Sequence, residues 1–337
     1  MRSKNVRKKY KVLGVSAGQG ALLYPFKDRL IANIEPRGVF HTPKEEQWNM
    51  NFRGIPFLRG GLPEEFKPDV ILSSPDCGAS SIMRLSKVKV LGNPIKNPSL
   101  ELVIEAISFY KPKVFLIENL PRLLSLVPLE YFEKVFSDYN LIVHTSSVSE
   151  FGNSQVSRKR LMLIGVHKTK ASLLKNRFNT KFLVNQVKDT RKLLNKPYRF
   201  GNWTPSRYSK MAMYDYRKLP EKRNLTVRRI HKLWTTDFKD EKKWPIRTSK
   251  MKTLPGVYRL EADKPPLTVR PADRQFRPDG WPLGILDIKN IMGFPEDFRV
   301  YMDGSRYKYW LNKGRYTLAK GAVYEIGLWF KACLESD

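Results

Sequence analysis

Cysteine and histidine are scarce in this chain, which has 2 Cys and 4 His among its 337 residues. Cys77 and Cys333 lie far apart in the sequence, so they do not form the framework of a disulfide-stabilised domain. The histidines are scattered and show no metal-ligand spacing with either cysteine, which argues against a zinc site. We therefore expect a reducing, intracellular setting and no bound metal.

Acidic residues are also few. The chain has 32 Asp and Glu against 62 Lys and Arg, a net charge of +30, although its hydrophobic fraction of 41% is ordinary for a globular protein. The basic residues are interleaved with Tyr, Trp and Phe, which indicates a polyanionic partner, most simply nucleic acid. An anionic membrane surface is the competing interpretation. The sequence shows no long apolar span, no basic amphipathic helix and no apolar stretch long enough for a signal peptide, so we expect no membrane association.

Strands and helices are predicted to alternate along residues 1–166. "KVLGV" (11–15) and "LIANIE" (30–35) are predicted strands, and "SAGQGA" between them is a small-residue turn predicted to open a helix. A second unit has strands at 69–74 and 113–119 around a helix at 98–111, for which Ser99 is the predicted N-cap. Helix "PLEYFEKVFSDY" and strands "LIVHTSSVS" and "RLMLIGV" follow. This order predicts a doubly wound, mainly parallel α/β sheet that binds ligands at the carboxyl ends of its strands.

The composition changes after residue 166. Residues 170–264 hold 26 Lys and Arg against 8 Asp and Glu, with many Pro, Asn and Tyr and little periodicity. A solvated, charge-rich loop region is one interpretation, and a small domain for nucleic acid is the one we favour. We therefore predict a cofactor-binding and catalytic domain at 1–166, a basic target-recognition domain at 167–280, and a C-terminal segment at 281–337 that packs back on the first domain.

Several segments occur in the order found in one enzyme family. They are "SAGQG", Glu35, "SPDCGASS", "ENL" (118–120), "QVSRKRLMLIG" (155–165), "LDIKNIMGFPEDF" (286–298) and "RYTLAKGAV". In this order, with a basic insertion before the last two, the chain resembles the C5-cytosine DNA methyltransferases over nearly its whole length. The resemblance implies the fold of S-adenosylmethionine-dependent methyltransferases, with a smaller target-recognition domain that binds double-stranded DNA, and S-adenosylmethionine as cofactor. It assigns these residues to the cofactor pocket: Ser16, Ala17, Gly18, Gly20, Glu35, Pro36, Pro75, Lys320 and Gly321.

The resemblance also implies a set of catalytic residues. Carbon 5 of cytosine is a poor nucleophile, and a thiolate that adds to C6 makes C5 reactive, while an acid at N3 neutralises the charge that develops there. By resemblance, Cys77 is the nucleophile, Glu118 is the acid at N3, and Asn119 orients the loop. Arg158 and Arg160 match the paired arginines that hold the base edge and the nearby backbone. The target base must leave the stacked duplex to reach these groups.

Each of these residues also has a structural interpretation. A lone cysteine such as Cys77 is often a buried small hydrophobe, and Glu118 at a strand end can cap a neighbouring helix. Arg158 and Arg160 alternate along one strand face and can be surface charges. The ordered set of motifs favours catalysis over these readings. Cys333, in the predicted terminal helix, is expected to pack in the core.

The chain departs from the family pattern at several positions. Asp76 and Gly78 stand where the family has proline and glutamine around the cysteine, and Gln155 lies one residue too far upstream of Arg158. Ser16 replaces the aromatic residue of the cofactor turn, and Gly61 replaces the acid near the adenine. Lys320 or Gly321 occupies the position of the terminal asparagine. A carboxylate at Asp76 would raise the pKa of a nearby thiol, unless the two side chains point apart.

These departures leave several functions open. Lys320 can point to solvent or to a phosphate; alternatively, it can favour carboxy-S-adenosylmethionine and thus carboxymethyl transfer, because an ammonium near a sulfonium is unfavourable. A non-catalytic relative that binds DNA is a rival in a different class, and an enzyme acting on RNA is another, since some relatives of the family modify transfer RNA. The leading hypothesis is a monomeric DNA cytosine-C5 methyltransferase, cytoplasmic and DNA-associated in a prokaryotic or virus-infected cell.

Overall fold

The structure is a computed structural model that describes only part of the chain. The described residues are 10–37, 42–76, 97–170, 175–179, 182–184, 186–194, 257–260, 262–266, 268–269, 274–276, 283–300, 318 and 321–336. Cys77, Gly78, Lys320 and most of the predicted basic domain therefore lie outside the described residues.

Seven strands form one sheet in the order β3-β2-β1-β4-β5-β7-β6. The strands are β1 Val12–Val15, β2 Leu30–Glu35, β3 Phe57–Arg59, β4 Val70–Ser73, β5 Val114–Asn119, β6 Tyr139–Ser147 and β7 Lys159–His167. Neighbours among β1–β5 pair in parallel, whereas β7 runs antiparallel to both β5 and β6. The predicted mainly parallel sheet is confirmed, with a reversed strand between β5 and β6. Two short strands, β8 Val257–Arg259 and β9 Arg274–Phe276, pair with each other in parallel.

The described helices cover both faces of the sheet. They are α1 Thr42–Asn51, α2 Pro98–Tyr110, α3 Leu123–Leu126, α4 Leu129–Val135, α5 Thr190–Leu193, α6 Ile285–Ile291 and α7 Tyr324–Glu335. Side chains alternate across a strand, so β5 sends Val114 and Leu116 to one apolar core and Phe115 and Ile117 to the other. Helices α1 and α7 close the first core, and α2 and α4 close the second. This is the doubly wound arrangement that the alternating pattern predicts.

The predicted helix between β1 and β2 is wrong. The connection consists of turns and a single 3-10 turn, Tyr24–Phe26. Pro25 falls inside the expected helix, where it lacks a donor and clashes with the preceding turn. Helix α7 from the end of the chain packs there instead: Lys331 Nζ donates to the Pro25 carbonyl at 2.7 Å. A Cβ at Gly327 would lie 2.4 Å from the Leu22 carbonyl oxygen, so the two segments approach each other closely.

The predicted N-cap of α2 lies two residues too late. Asn97, not Ser99, is the N-cap, and its Oδ1 accepts a hydrogen bond from the Ser99 backbone N–H at 3.0 Å. Pro98 then occupies the first helical position, where its missing N–H costs nothing. The helix therefore begins at the Asn-Pro pair, and Ser99 is buried within its first turn.

The C-terminal part of the described chain contributes to two cores. Helix α7 packs on the sheet through Ile326, Trp329 and Phe330, and Cys333 lies buried among them, as expected of a packing residue. Burial raises the pKa of the Cys333 thiol to about 12, so this thiol is inert. Helix α6 forms a third, smaller core with apolar residues from 193–300 and with Leu318.

Candidate active site

The carboxyl ends of β1, β2, β4 and β5 lie at one edge of the sheet, and the predicted site residues follow them. Since β4 and β5 pair in parallel with Ser73 opposite Ile117, the next residues of the two strands, Ser74 and Glu118, come together. This is the edge at which open α/β sheets bind ligands.

Glu118 lies at the centre of this edge. Glu118 is 3% exposed, and its Oε2 accepts a hydrogen bond from Ser74 Oγ at 2.6 Å. Oε1 lies 2.7 Å from Nε of Arg160. Strand β7 supplies this arginine because it runs antiparallel to β5 with Met162 opposite Glu118. The two contacts fix the orientation of the carboxyl group, and neither is a helix cap, which was the alternative interpretation of Glu118.

Two asparagine amides hold the backbone that leads into the cysteine loop. Asn119 Nδ2 donates to the Pro75 carbonyl at 3.1 Å, and Asn97 Nδ2 donates to the Asp76 carbonyl at 2.8 Å. The residue after Asp76 is Cys77, and residues 77–96 lie outside the described chain. Asn97 therefore joins the two ends of that segment. Sequence reasoning did not identify this residue, although an Asn-Pro pair before a periodic helix is a recognisable N-cap signal.

The Asp76 side chain is exposed. Water screens a carboxylate in that position, which limits its effect on a neighbouring thiol. Its backbone carbonyl, by contrast, is held by Asn97.

Arg158 and Arg160 contact different parts of the described chain. Arg158 precedes β7 and is 2% exposed, and its Nη2 donates to the Gly321 carbonyl at 2.9 Å. Its Nη1 lies 3.6 Å from the sulfur of Met292. Arg158 thus joins the start of β7 to the C-terminal segment, whereas Arg160 belongs to the Glu118 site. The alternative interpretation of the two arginines as surface charges is wrong, because Arg158 is 2% exposed and the Arg160 side chain is 12% exposed.

The turn after β1 has an unusual backbone. Ser16, Gly18 and Gly20 have φ values of 51°, 63° and 86°. A Cβ at Gly20 would lie 2.5 Å from the Phe52 ring, whereas no described atom lies within 4 Å of a Cβ built at Gly18. Ala17 is buried. The turn therefore packs on the core at Gly20 and has open space at Gly18.

Glu35 ends β2 beside this turn. It is 1% exposed, and its Oε1 accepts from the Gly18 backbone N–H at 2.7 Å. Lys44 Nζ lies 3.5 Å from the other carboxylate oxygen. Pro36 follows directly. Nothing in the sequence pattern pointed to Lys44, nine positions further on in α1.

The residues after β3 have no acid in the position where the family carries one. Gly60 and Gly61 both have positive φ, 63° and 74°. The Arg37 side chain packs over Gly60, where a Cβ would lie 2.5 Å from its Cγ. The side chain over this turn is therefore an arginine.

The described residues fit S-adenosylmethionine. Glu35 is a buried carboxylate of the kind that can accept from ribose hydroxyls, and the open space at Gly18 leaves room for a ligand over the turn. The amide of Gln19 in the same turn is buried without a hydrogen-bond partner among the described residues. Gly321, predicted to belong to this pocket, lies against Gln19.

Other kinds of site receive no support from the described residues. They contain no group of three His, Cys, Asp or Glu that could hold a metal ion. In the same part of the chain, no helix has the length and hydropathy to span a bilayer. A shallow groove of about 450 Å³ is lined by residues such as Asp69 and Lys113, which precede β4 and β5. It therefore lies at the edge of the sheet opposite Glu118.

Comparisons with solved structures support the same fold. S. pombe Dnmt2 methyltransferase aligns with a TM-score of 0.61 and 14% identity, covering 96% of this chain and 98% of that one. A protein from an E. coli prophage, described as a DNA modification methyltransferase, aligns with a TM-score of 0.60 and 16% identity over 97% and 100%. The Entamoeba histolytica methyltransferase EhMeth gives 0.58 and 13% over 97% and 98%. At such identities the likeness establishes the methyltransferase fold and nothing finer.

Sequence comparisons identify the family. A search of curated protein sequences gave no significant match. The family model for C-5 cytosine-specific DNA methylases matches residues 49–310, which is more than half of the chain. This chain therefore belongs to the C-5 cytosine-specific DNA methylase family.

Proposed function

We propose that this protein transfers a methyl group from S-adenosylmethionine to C5 of a flipped-out cytosine in DNA, through a covalent bond between Cys77 and C6. The observation that carries the proposal is the buried Glu118 carboxyl group, held by Ser74 and Arg160 at the edge where the cysteine loop begins. A base placed beside Glu118 is also next to the backbone that leads to Cys77, since Asn119 holds the Pro75 carbonyl.

The chemistry divides among residues of this chain. The Cys77 thiolate adds to C6 and forms a C–S bond, and the displaced electron density makes C5 nucleophilic. Glu118 takes up a proton when the base binds and donates a hydrogen bond to N3, which neutralises the charge that develops there, and Arg160 keeps its carboxyl group in place. S-adenosylmethionine, when bound, supplies the electrophilic methyl group. After methylation, which leaves S-adenosylhomocysteine, the C5 proton passes to a base or to water, its electron pair re-forms the C5=C6 double bond, the C6–S bond breaks, and Cys77 leaves as the thiolate.

The cofactor residues lie on the other side of the same edge. Glu35 ends β2, and the turn Ser16–Gly20 follows β1, which lies between β2 and β4. We propose that Glu35 and Pro36 face the ribose, that Ala17, Gly18 and Gly20 form the turn against the methionine part, and that Pro75, Lys320 and Gly321 complete the pocket. Arg158 supports this pocket through its bond to the Gly321 carbonyl.

Double-stranded DNA is the polymer that we propose. A base in a stacked duplex cannot reach Glu118, so it must be flipped out, and phosphate contacts must hold the DNA during that step. Residues 170–264 carry 26 Lys and Arg against 8 Asp and Glu, which suits such contacts. We assign this role to the basic domain at 167–280. RNA is the alternative polymer, and a competition assay between duplex DNA and RNA at fixed salt distinguishes the two.

The decisive experiment is mass analysis of nucleosides from DNA incubated with the protein and S-adenosylmethionine. We expect 5-methylcytosine with the wild type, none with Cys77→Ser, and unchanged DNA binding by that variant. Cys333→Ala is the matched control, because Cys333 is buried in α7 away from this edge, and it should still form product. Full activity of Cys77→Ser would refute the mechanism. A parallel incubation with carboxy-S-adenosylmethionine tests carboxymethyl transfer, and no heat of cofactor binding would indicate a non-catalytic relative.

A further inference from the structure

The Gln19 side chain is the polar group in the turn after β1 that the fold leaves unsatisfied. The residue is 3% exposed, and neither its Nε2 nor its Oε1 has a hydrogen-bond partner in the described part of the chain. Buried amides in native proteins nearly always have partners, because an unpaired one forfeits its bonds to water. The orphaned donor and acceptor make this side chain a candidate contact for a bound ligand.

The surroundings of Gln19 place that ligand in the proposed cofactor pocket. Gln19 lies between Gly18, which has open space, and Gly20, which packs on the core. The Gly18 backbone N–H is bonded to Glu35, so the Gln19 amide and the proposed ribose acceptor belong to the same small region. A ligand that reaches Glu35 with its ribose can thus extend over this turn.

Gly321 leaves the space that Gln19 occupies. A Cβ built at Gly321 would lie 2.3 Å from Gln19 Nε2, so any larger residue at 321 would displace the amide. The backbone at Gly321 is not in the left-handed region and does not itself require glycine. The space between the turn and the terminal segment holds one side chain. The Gln19 carboxamide fills it, and Gly321 has no side chain that would compete for it.

The chemistry of a carboxamide selects one end of the cofactor. Its Nε2 donates and its Oε1 accepts, which suits an α-amino acid with one carboxylate and one ammonium group. The amide is neutral, so it does not repel a sulfonium as a lysine would. Its enclosure strengthens any bond that it makes, because water does not compete. The ribose would lie at Glu35 and the methyl group must face the Glu118 side, which leaves the amino-acid end for the turn.

We propose that the Gln19 carboxamide binds the amino-acid end of S-adenosylmethionine and makes the protein selective for nucleosides that carry it. The inference rests on the proposed function, since it assumes that this pocket takes that cofactor. Gln19 is a binding residue in this proposal.

Calorimetry with two ligands tests the proposal. S-adenosylhomocysteine carries the amino-acid end, and 5′-methylthioadenosine has the same nucleoside without it. We expect Gln19→Leu to weaken binding of S-adenosylhomocysteine by about tenfold or more, as loss of bonds to charged groups does, and to leave 5′-methylthioadenosine binding unchanged. Gln19→Glu retains the shape but repels a carboxylate, so it should show the same selective loss.

A stability measurement separates binding from folding. Gln19→Leu should leave the unfolding midpoint of the ligand-free protein unchanged or higher, because it removes an unsatisfied amide. Gln155→Leu is the matched control: Gln155 is equally buried but bonds to Asn153 and to the Val269 N–H, so its loss should lower the midpoint.

The possible failures are distinguishable. Unchanged S-adenosylhomocysteine binding by both Gln19 variants, or an equal loss for both ligands, overturns the inference and leaves the proposed function standing. A wild-type protein that binds neither nucleoside overturns the proposed function and the inference with it.

Discussion

At the scale of single residues, Glu118 and Arg160 depend on each other. Their side chains are 4% and 12% exposed, and the contact between Oε1 and Nε is 2.7 Å. Breaking such a pair leaves a buried charge without compensation, which costs far more than the intact pair contributes. We expect Arg160→Ala to lower the free energy of unfolding by about 3 kcal/mol, measured by urea denaturation.

Two further variants test whether this loss comes from the uncompensated charge. Adding Glu118→Gln to Arg160→Ala should recover part of the stability, since the double variant has no buried charge at this position. Arg59→Ala is the control: Arg59 pairs with Glu45 but is 52% exposed, and its loss should cost less than about 1 kcal/mol. Equal losses in Arg160→Ala and Arg59→Ala would contradict this account.

The sequence identified Glu118 but not its surroundings. Its place at the end of a predicted strand and its motif were visible, because both are local. Arg160 was visible as a motif residue, but its contact with Glu118 depends on the antiparallel register of β7 against β5, which no local pattern contains. The same holds for Arg158, whose partner Gly321 is 163 positions away.

At the scale of elements, the base of the cysteine loop is closed by Asn97. This residue does two things: its Oδ1 caps α2, and its Nδ2 donates to the Asp76 carbonyl. Asn97→Ala removes both, and we expect it to lower the free energy of unfolding by about 1 kcal/mol, as loss of a helix cap does. It should also lower the rate of methyl transfer, because Cys77 directly follows Asp76.

Asn97→Asp separates the two roles. An aspartate still caps the helix and its charge suits a helix N-terminus, but its carboxylate cannot donate to a carbonyl. Stability should therefore stay close to that of the wild type while methyl transfer falls, as measured by urea denaturation and by initial rates. Wild-type rates in Asn97→Asp would show that the bond to Asp76 does not position the loop.

Six of the seven strands of the sheet could be predicted, whereas the short strand β3 and the connection after β1 could not. Strand β2 matches its predicted range, because apolar runs between turns are a local signal. The helix expected to follow "SAGQGA" does not form, because Pro25 falls where it would run and only the 3-10 turn Tyr24–Phe26 is present. The segment is apolar because α7, from the other end of the chain, covers it. A local sequence pattern cannot show which distant element will cover an apolar segment.

At the scale of the whole molecule, contacts between distant segments hold the C-terminal helix on the sheet. Tyr10 Oη donates to Glu335 at 3.0 Å across 325 positions, and Arg29 pairs with the same carboxylate at 2.8 Å. Trp329 packs edge-on against Phe151 in the core below. These contacts lie beyond any sequence window, which is why the packing of the terminal segment was a matter of resemblance rather than of pattern.

Glu325 couples this C-terminal helix to the sheet in a way that depends on pH. It lies 3% exposed in the first turn of α7, and its Oε2 accepts from Asn153 Nδ2 at 3.0 Å. Burial raises the pKa of this carboxyl to about 7 in the folded protein, although Asn153, the backbone and the charges of Arg158 and Lys188 oppose the shift. The carboxyl is thus protonated when folded under conditions that ionise it when unfolded.

The sign of the effect follows from where the proton binds more tightly. Because the folded pKa is above the unfolded one, this group's contribution to stability is fully present below about pH 4.5 and is lost as the pH rises through about 7. The loss amounts to about 3 kcal/mol at most, and Glu325→Gln should abolish it, since a glutamine stays neutral and still accepts from Asn153. The measurement is urea denaturation of both proteins between pH 5 and pH 8, taking the difference so that histidines and other carboxylates cancel. We expect the free energy of unfolding of Glu325→Gln to increase relative to that of the wild type as the pH rises. If the difference between the two free energies stays constant with pH, Glu325 is ionised in the folded protein and its charge is compensated by its surroundings.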